Sequence, residues 1–148
     1  MKAVIMRVNR ASVEVDGIVI SSIGKGLLIL LGIGKEDTRE DVIKLANRIP
    51  SLKLFKSGEQ EFSSSIEDIK GEVLVVSQVT LFGSLSKGRK PSFDDCAKKE
   101  VAEGLYREFI SELKSRGLNV KEGKFGTHMH LHIENDGPVT FIMDTKNK

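Results

Sequence analysis

Leu27 to Leu31 is apolar at every position, and so is Val73 to Val76. Successive side chains of a strand point to opposite faces, so such runs are buried only if both faces of their sheet are covered. This requirement constrains the chain more than any other feature. It predicts two central strands, with helices or further strands packed above and below them. Neither run approaches the length of a membrane span.

The rest of the chain is read around that centre. Lys2 to Val15 alternates as one long strand or two joined by a bend, and Asp16-Gly17 turns it into Ile18 to Ile23. Gly34-Lys35 begins like a phosphate loop, but Glu36 stands where a hydroxyl would hold magnesium, which excludes that motif. Thr38 and Asp41 form a capping box for a helix that Pro50 ends, with Val42, Leu45, Ala46 and Ile49 on one face. Leu52, Leu54 and Phe55 suggest a short strand, and Ser57 to Ser65 a polar loop. The second buried strand runs from Val73 to Leu81, and a loop from Phe82 to Phe93 follows. Ser92 and Asp95 are candidate caps of a second helix that reaches Arg116 and stops at Gly117. Strands close the chain at Asn119 to Glu122, Thr127 to Glu134 and Val139 to Asp144. The expected fold is therefore α+β, one domain over residues 1–148. About eight strands in β-rich sheets are covered by two helices in β/β/α layering.

The chain has a single cysteine, Cys96, which excludes an internal disulfide and suits a reducing cytoplasm. The start, Met1 to Arg7, has no apolar core of an export signal. The expected location is cytoplasmic, with no membrane. A net charge of +2 makes any nucleic-acid contact a matter of local patches.

Asn135-Asp136-Gly137-Pro138-Val139-Thr140 reads as a stiff turn between two strands. Asp-Gly favours a hairpin, and Pro138 removes a donor, fixes its own φ and makes the Gly-Pro bond a candidate for the cis isomer. Such a turn can hold bare carbonyl oxygens in one place. Ser77, Gln78 and Thr80 put hydroxyls and an amide at the end of a buried strand, with no base beside them in sequence. Lys87, Arg89 and Lys90 form the densest basic loop, and Arg7 and Arg10 extend that patch. His128, His130 and His132 alternate on one strand, spread over about 13 Å, too far for all three to hold one ion without a bend. Cys96 in the first turn of a helix is a candidate nucleophile, opposed by Asp94 and Asp95.

Five stretches together resemble the D-aminoacyl-tRNA deacylase family in its bacterial and eukaryotic form. They are Arg7 to Val13, Gly26 to Gly32, Val75 to Leu81, Arg89 to Phe93 and Asn135 to Thr140. Among them are both of that family's signature motifs, S-Q-x-T at Ser77 to Thr80 and G-P-V-T at Gly137 to Thr140. The resemblance implies hydrolysis of a D-amino acid from the terminal adenosine of tRNA. It also implies a homodimer, with Gly137-Pro138 of one subunit, in cis, entering the active site of the other. Ser77, Gln78 and Thr80 would be catalytic; Gly137, Pro138, Phe125, Met129, Asn135 and Thr140 would bind substrate. Arg7, Lys87, Arg89 and Lys90 would meet tRNA, with no metal and no cofactor. Two other classes stay open at this point: a metal-dependent hydrolase built on His128, His130 and His132, and a non-enzymatic tRNA-binding module.

Overall fold

A computed structural model describes residues 1–146. Eight strands and two α-helices make up the described chain, in an α+β arrangement. The long strand β1 (Lys2–Val15) is the spine. One of its edges carries β8 (His130–Asp144) along nearly its whole length. The other carries β3 (Gly26–Gly32) beside Lys2 to Val8 and β2 (Ile18–Ile23) beside Ala11 to Val15. Asp16 and Gly17, with φ of 51° and 79°, make the tight β1–β2 turn that the sequence predicts.

Beyond β3 lie β6 (Glu72–Ser77) and β7 (Asn119–Glu122), and these three run parallel. Both apolar runs are interior strands, as expected. The sheet curls, so that Lys121 Nζ of β7 donates to the Ser22 carbonyl of β2 at 2.8 Å.

Two cores follow from the two covered faces. On one, Ile5, Ile29, Leu31 and Val75 meet helices α1 (Arg39–Arg48) and α2 (Lys99–Ser115) through Val42, Leu45, Phe109 and Leu113. On the other, Leu28, Leu74 and Val76 meet Val8, Val13 and Ile23 of the curled β1 and β2. Each fully buried aliphatic side chain contributes about 1.5–3 kcal/mol. The Thr38–Asp41 capping box is present: Glu40 N donates to Thr38 Oγ1 and Thr38 N to Asp41 Oδ2. Tyr106, buried in α2, donates its hydroxyl to the Val75 carbonyl at 2.9 Å and fixes α2 to β6.

Four expectations are corrected. The polar stretch after Phe55 is a hairpin, β4 (Phe55–Ser57) and β5 (Gln60–Ser64), turning at Gly58 with φ 61°. The Val73 strand stops at Ser77 and continues as a 3-10 turn, Val79–Phe82. Helix α2 starts at Lys99, capped by neither Ser92 nor Asp95. Finally, Asn135 to Pro138 is no hairpin: β8 passes straight through, paired with β1 on both sides.

Candidate active site

The carboxyl ends of three parallel strands meet on one side of the sheet, where open α/β sheets bind ligands. A cavity of about 420 Å³ lies there, lined by Ile33 after β3, Ser77 at the end of β6, and Phe125, Thr127 and Met129 after β7. Lys99 and Ala102 close it from the first turn of α2. The cavity thus collects Ser77, Phe125 and Met129 from the residues that the sequence singles out. Gln78 and Thr80 stand beside it on the 3-10 turn.

That turn is held by its backbone. Gln78 N continues the sheet by donating to the Leu31 carbonyl at 2.8 Å. Leu81 N then returns to the Gln78 carbonyl, and Gly83 N to that of Thr80, which folds the chain over. Gly32 lets it come close, because a Cβ there would lie 2.7 Å from Leu81 Cβ. Gln78 Nε2 donates to Thr80 Oγ1 at 2.6 Å. A carboxamide is no base, so this contact orients the exposed Thr80 hydroxyl without activating it as a nucleophile.

The Gly137-Pro138 peptide, which is cis, lies elsewhere. Met6 faces Thr140 and Val8 faces Asn135, so Asp136 to Val139 bulge out opposite the single residue Arg7. The bulge is braced. Asn135 Oδ1 accepts from Val139 N at 3.1 Å, and its Nδ2 donates to Thr140 Oγ1 at 2.9 Å. Arg7 Nε donates to the Asp136 carbonyl at 3.3 Å and pairs with its carboxylate at 3.1 Å. Gly137 and Pro138 themselves are exposed.

Arg7 corrects an expectation. It is 3% exposed, and its fork spans Glu61 at 2.7 and 3.1 Å and the Leu54 carbonyl at 3.0 Å. The Glu61 hydrogen bond outweighs burial and raises its pKa; reciprocally, Arg7 lowers that of Glu61. A guanidinium committed in this way offers nothing to a phosphate. Arg10 is exposed but paired with Glu134 at 3.5 Å.

The register places the bulge relative to the cavity. Arg7 faces Leu27, and Leu27 faces Val73, four residues short of Ser77. Four residues along a strand and three strand spacings across it amount to roughly 20 Å on a flat sheet. Within one protomer the bulge and the cavity therefore do not form one site.

Lys87, Arg89 and Lys90 ride on an exposed loop pinched shut by reciprocal Ser84–Ser92 hydrogen bonds of 2.8 Å. Two of the histidines lie at Glu14, His132 Nε2 at 3.2 Å and His130 Nδ1 at 3.9 Å from its carboxylate, and the His128 ring packs edge-on against that of His130 at 5.1 Å. Among the described residues, no three His, Cys, Asp or Glu side chains form a metal-holding group. Cys96 precedes α2 and donates to the Val79 carbonyl at 3.5 Å. Burial, then Asp95, pushes its thiol pKa up, the opposite of an activated nucleophile.

Sequence reasoning missed Val79, Thr127 and Lys99 as lining residues. Lys98-Lys99 did carry a signal, since lysines at a helix N-terminus run against its dipole.

The family model described as D-Tyr-tRNA(Tyr) deacylase matches residues 4–144. The D-aminoacyl-tRNA deacylase of Persephonella marina is 55% identical over 99% of both chains. That of Thermodesulfovibrio yellowstonii is 50% identical over 99% of this chain and all of its own. Among solved structures, the c-Myc DNA Unwinding Element Binding Protein superposes with a TM-score of 0.92 at 43% identity, covering 98% of this chain and 99% of that one. A "probable eukaryotic D-amino acid tRNA deacylase" superposes at 0.81 and 19% identity, over 96% and 97% of the two chains, a likeness of fold alone. Matched nearly end to end by the family model and by relatives about half identical, this chain belongs to the D-Tyr-tRNA(Tyr) deacylase family.

Proposed function

We propose that this protein hydrolyses the ester between a D-amino acid and the terminal adenosine of tRNA, releasing the amino acid and reusable tRNA. The observation that carries the reading is the placement that the strand register gives, in a chain of the deacylase family. One chain holds an open cavity at Ser77 and, roughly 20 Å away, a braced and exposed main-chain bulge that cannot reach it. Two copies of the chain complete each other. The Gly137-Pro138 bulge of one protomer enters the cavity of its partner, so the working enzyme is a homodimer.

The chemistry suits these parts. An enzyme that accepts many side chains but one hand at Cα reads the ammonium and the Cα hydrogen, not the side chain. Fixed carbonyls of the bulge accept from the ammonium and leave no room for an L side chain. Sites built on such hydrogen bonds discriminate far better than apolar pockets. Phe125 and Met129 line the aminoacyl-adenosine pocket, and Lys87, Arg89 and Lys90 meet the tRNA backbone. Water adds to the acyl carbon, the ester C–O bond breaks, and the ribose oxygen leaves with a proton. The substrate's neighbouring ribose hydroxyl assists, and backbone amides near Ser77 to Thr80 stabilise the oxyanion.

A deacylation assay tests the reading. D-alanyl-tRNA and glycyl-tRNA are cleaved, because glycine has no side chain to clash, while L-alanyl-tRNA is left intact. Adding chelator changes none of the three. Equal cleavage of D- and L-alanyl-tRNA overturns steric exclusion, and loss of activity with chelator overturns the metal-free reading.

Thr80→Ala separates positioning from covalent catalysis. With substrate assistance, kcat falls by no more than about tenfold, whereas loss of a true nucleophile costs several orders of magnitude.

A further inference from the structure

We infer that Lys99 holds the phosphodiester that joins the terminal adenosine to the nucleotide before it. This rests on the proposed reading of the cavity as the aminoacyl-adenosine pocket. Lys99 is the only charged side chain on the cavity wall, among neutral residues such as Ile33, Ser77, Phe125 and Met129. Its stem lies along Gly126, where a Cβ would come within 3.3 Å of Lys99 Cε and 3.6 Å of Nζ. The exposed ammonium thus stands at the cavity's rim.

Among the described residues no carboxylate lies within 4 Å of the Lys99 ammonium, so its charge is free for a ligand. It stands in the first turn of α2, behind Lys98, whose side chain makes no capping bond. Only Glu100 is acidic in that turn. Two lysines at a helix N-terminus oppose the dipole, an arrangement that costs the free protein stability and that an anion would relieve. A base and its ribose are neutral, and the aminoacyl group carries an ammonium. The phosphate 5′ to the adenosine is therefore the anion such a substrate brings to the rim of this cavity. The contact positions the ester and takes no part in breaking it.

Two small substrates isolate the contact: cytidylyl-adenosine carrying D-alanine, with one phosphodiester, and adenosine carrying D-alanine, with none. Lys99→Met raises KM for the dinucleotide ester about tenfold with kcat nearly constant, and changes kcat/KM for the nucleoside ester by less than roughly threefold. Lys99→Arg, which keeps the charge, restores most of the dinucleotide KM. An equal loss on both substrates, or no loss on either, overturns the phosphate contact while leaving the deacylase reading intact. A wild-type protein inactive on D-alanyl-tRNA overturns the deacylase reading itself and this contact with it.

Discussion

Gly137→Ala lowers kcat/KM for D-aminoacyl-tRNA by at least about 100-fold, the scale of a displacement near 1 Å in a positioning group. Gly137 sits at φ 127°, where an L side chain is strained. A Cβ built there lies 2.7 Å from Val139 Cγ2, 3.0 Å from Val139 N and 3.3 Å from Arg7 Nη2. Val139 is buried and Arg7 is locked by Leu54, Glu61 and Asp136, so the neighbours do not yield and the bulge moves instead. The fold survives, because β8 stays paired with β1 on both sides of the bulge. Loss of activity with a nearly unchanged melting temperature is the expected signature. A variant as active as wild type would show that the bulge's position does not matter.

Arg7→Met costs about 2 kcal/mol, a melting-temperature drop of roughly 5 °C for a chain of this size. It strands the buried Leu54 carbonyl, releases the Asp136 carbonyl and unpairs the partly exposed Glu61 carboxylate. Arg7 also ties the β4–β5 hairpin to the bulge, so activity falls with stability even where the variant is fully folded. Arg7→Lys recovers only part of either, since an ammonium lacks the planar fork that spans Glu61 and Asp136 together. Thermal melts and kcat/KM below the transition check both limbs. Wild-type melting in Arg7→Met would contradict the anchoring role.

The frame of this fold is legible in the sequence where local and tertiary signals agree. The double-faced apolar runs mark the interior strands β3 and β6, Asp16-Gly17 marks its turn, and Thr38 with Asp41 marks the start of α1. The misses share one cause: partners distant in sequence override a local preference. Asp136-Gly137 carries a hairpin signal, yet both flanking segments pair with the same long strand, and the turn residues bulge out. Phe55 to Ser64 is polar because its hairpin lies over the sheet with most positions in water, so no alternation reveals it. Arg7 looks like a patch residue because its partners, Glu61 and Asp136, lie far along the chain.

The site was partly legible for the same reason. Ser77 to Thr80 stands out as a polar ending on an apolar strand. Lys99 is brought to the cavity only by the placement of α2 across the parallel strand ends.

The most direct measurement mixes two inactive variants, unfolded and refolded together: Gly137→Ala, with an intact cavity, and Thr127→Trp, which fills the cavity and leaves the bulge intact. If each bulge serves its partner, a mixed dimer regains one complete site, and an equal mixture returns to about a quarter of wild-type activity. If the mixture stays as inactive as its components, the bulge does not act across the dimer and the account fails.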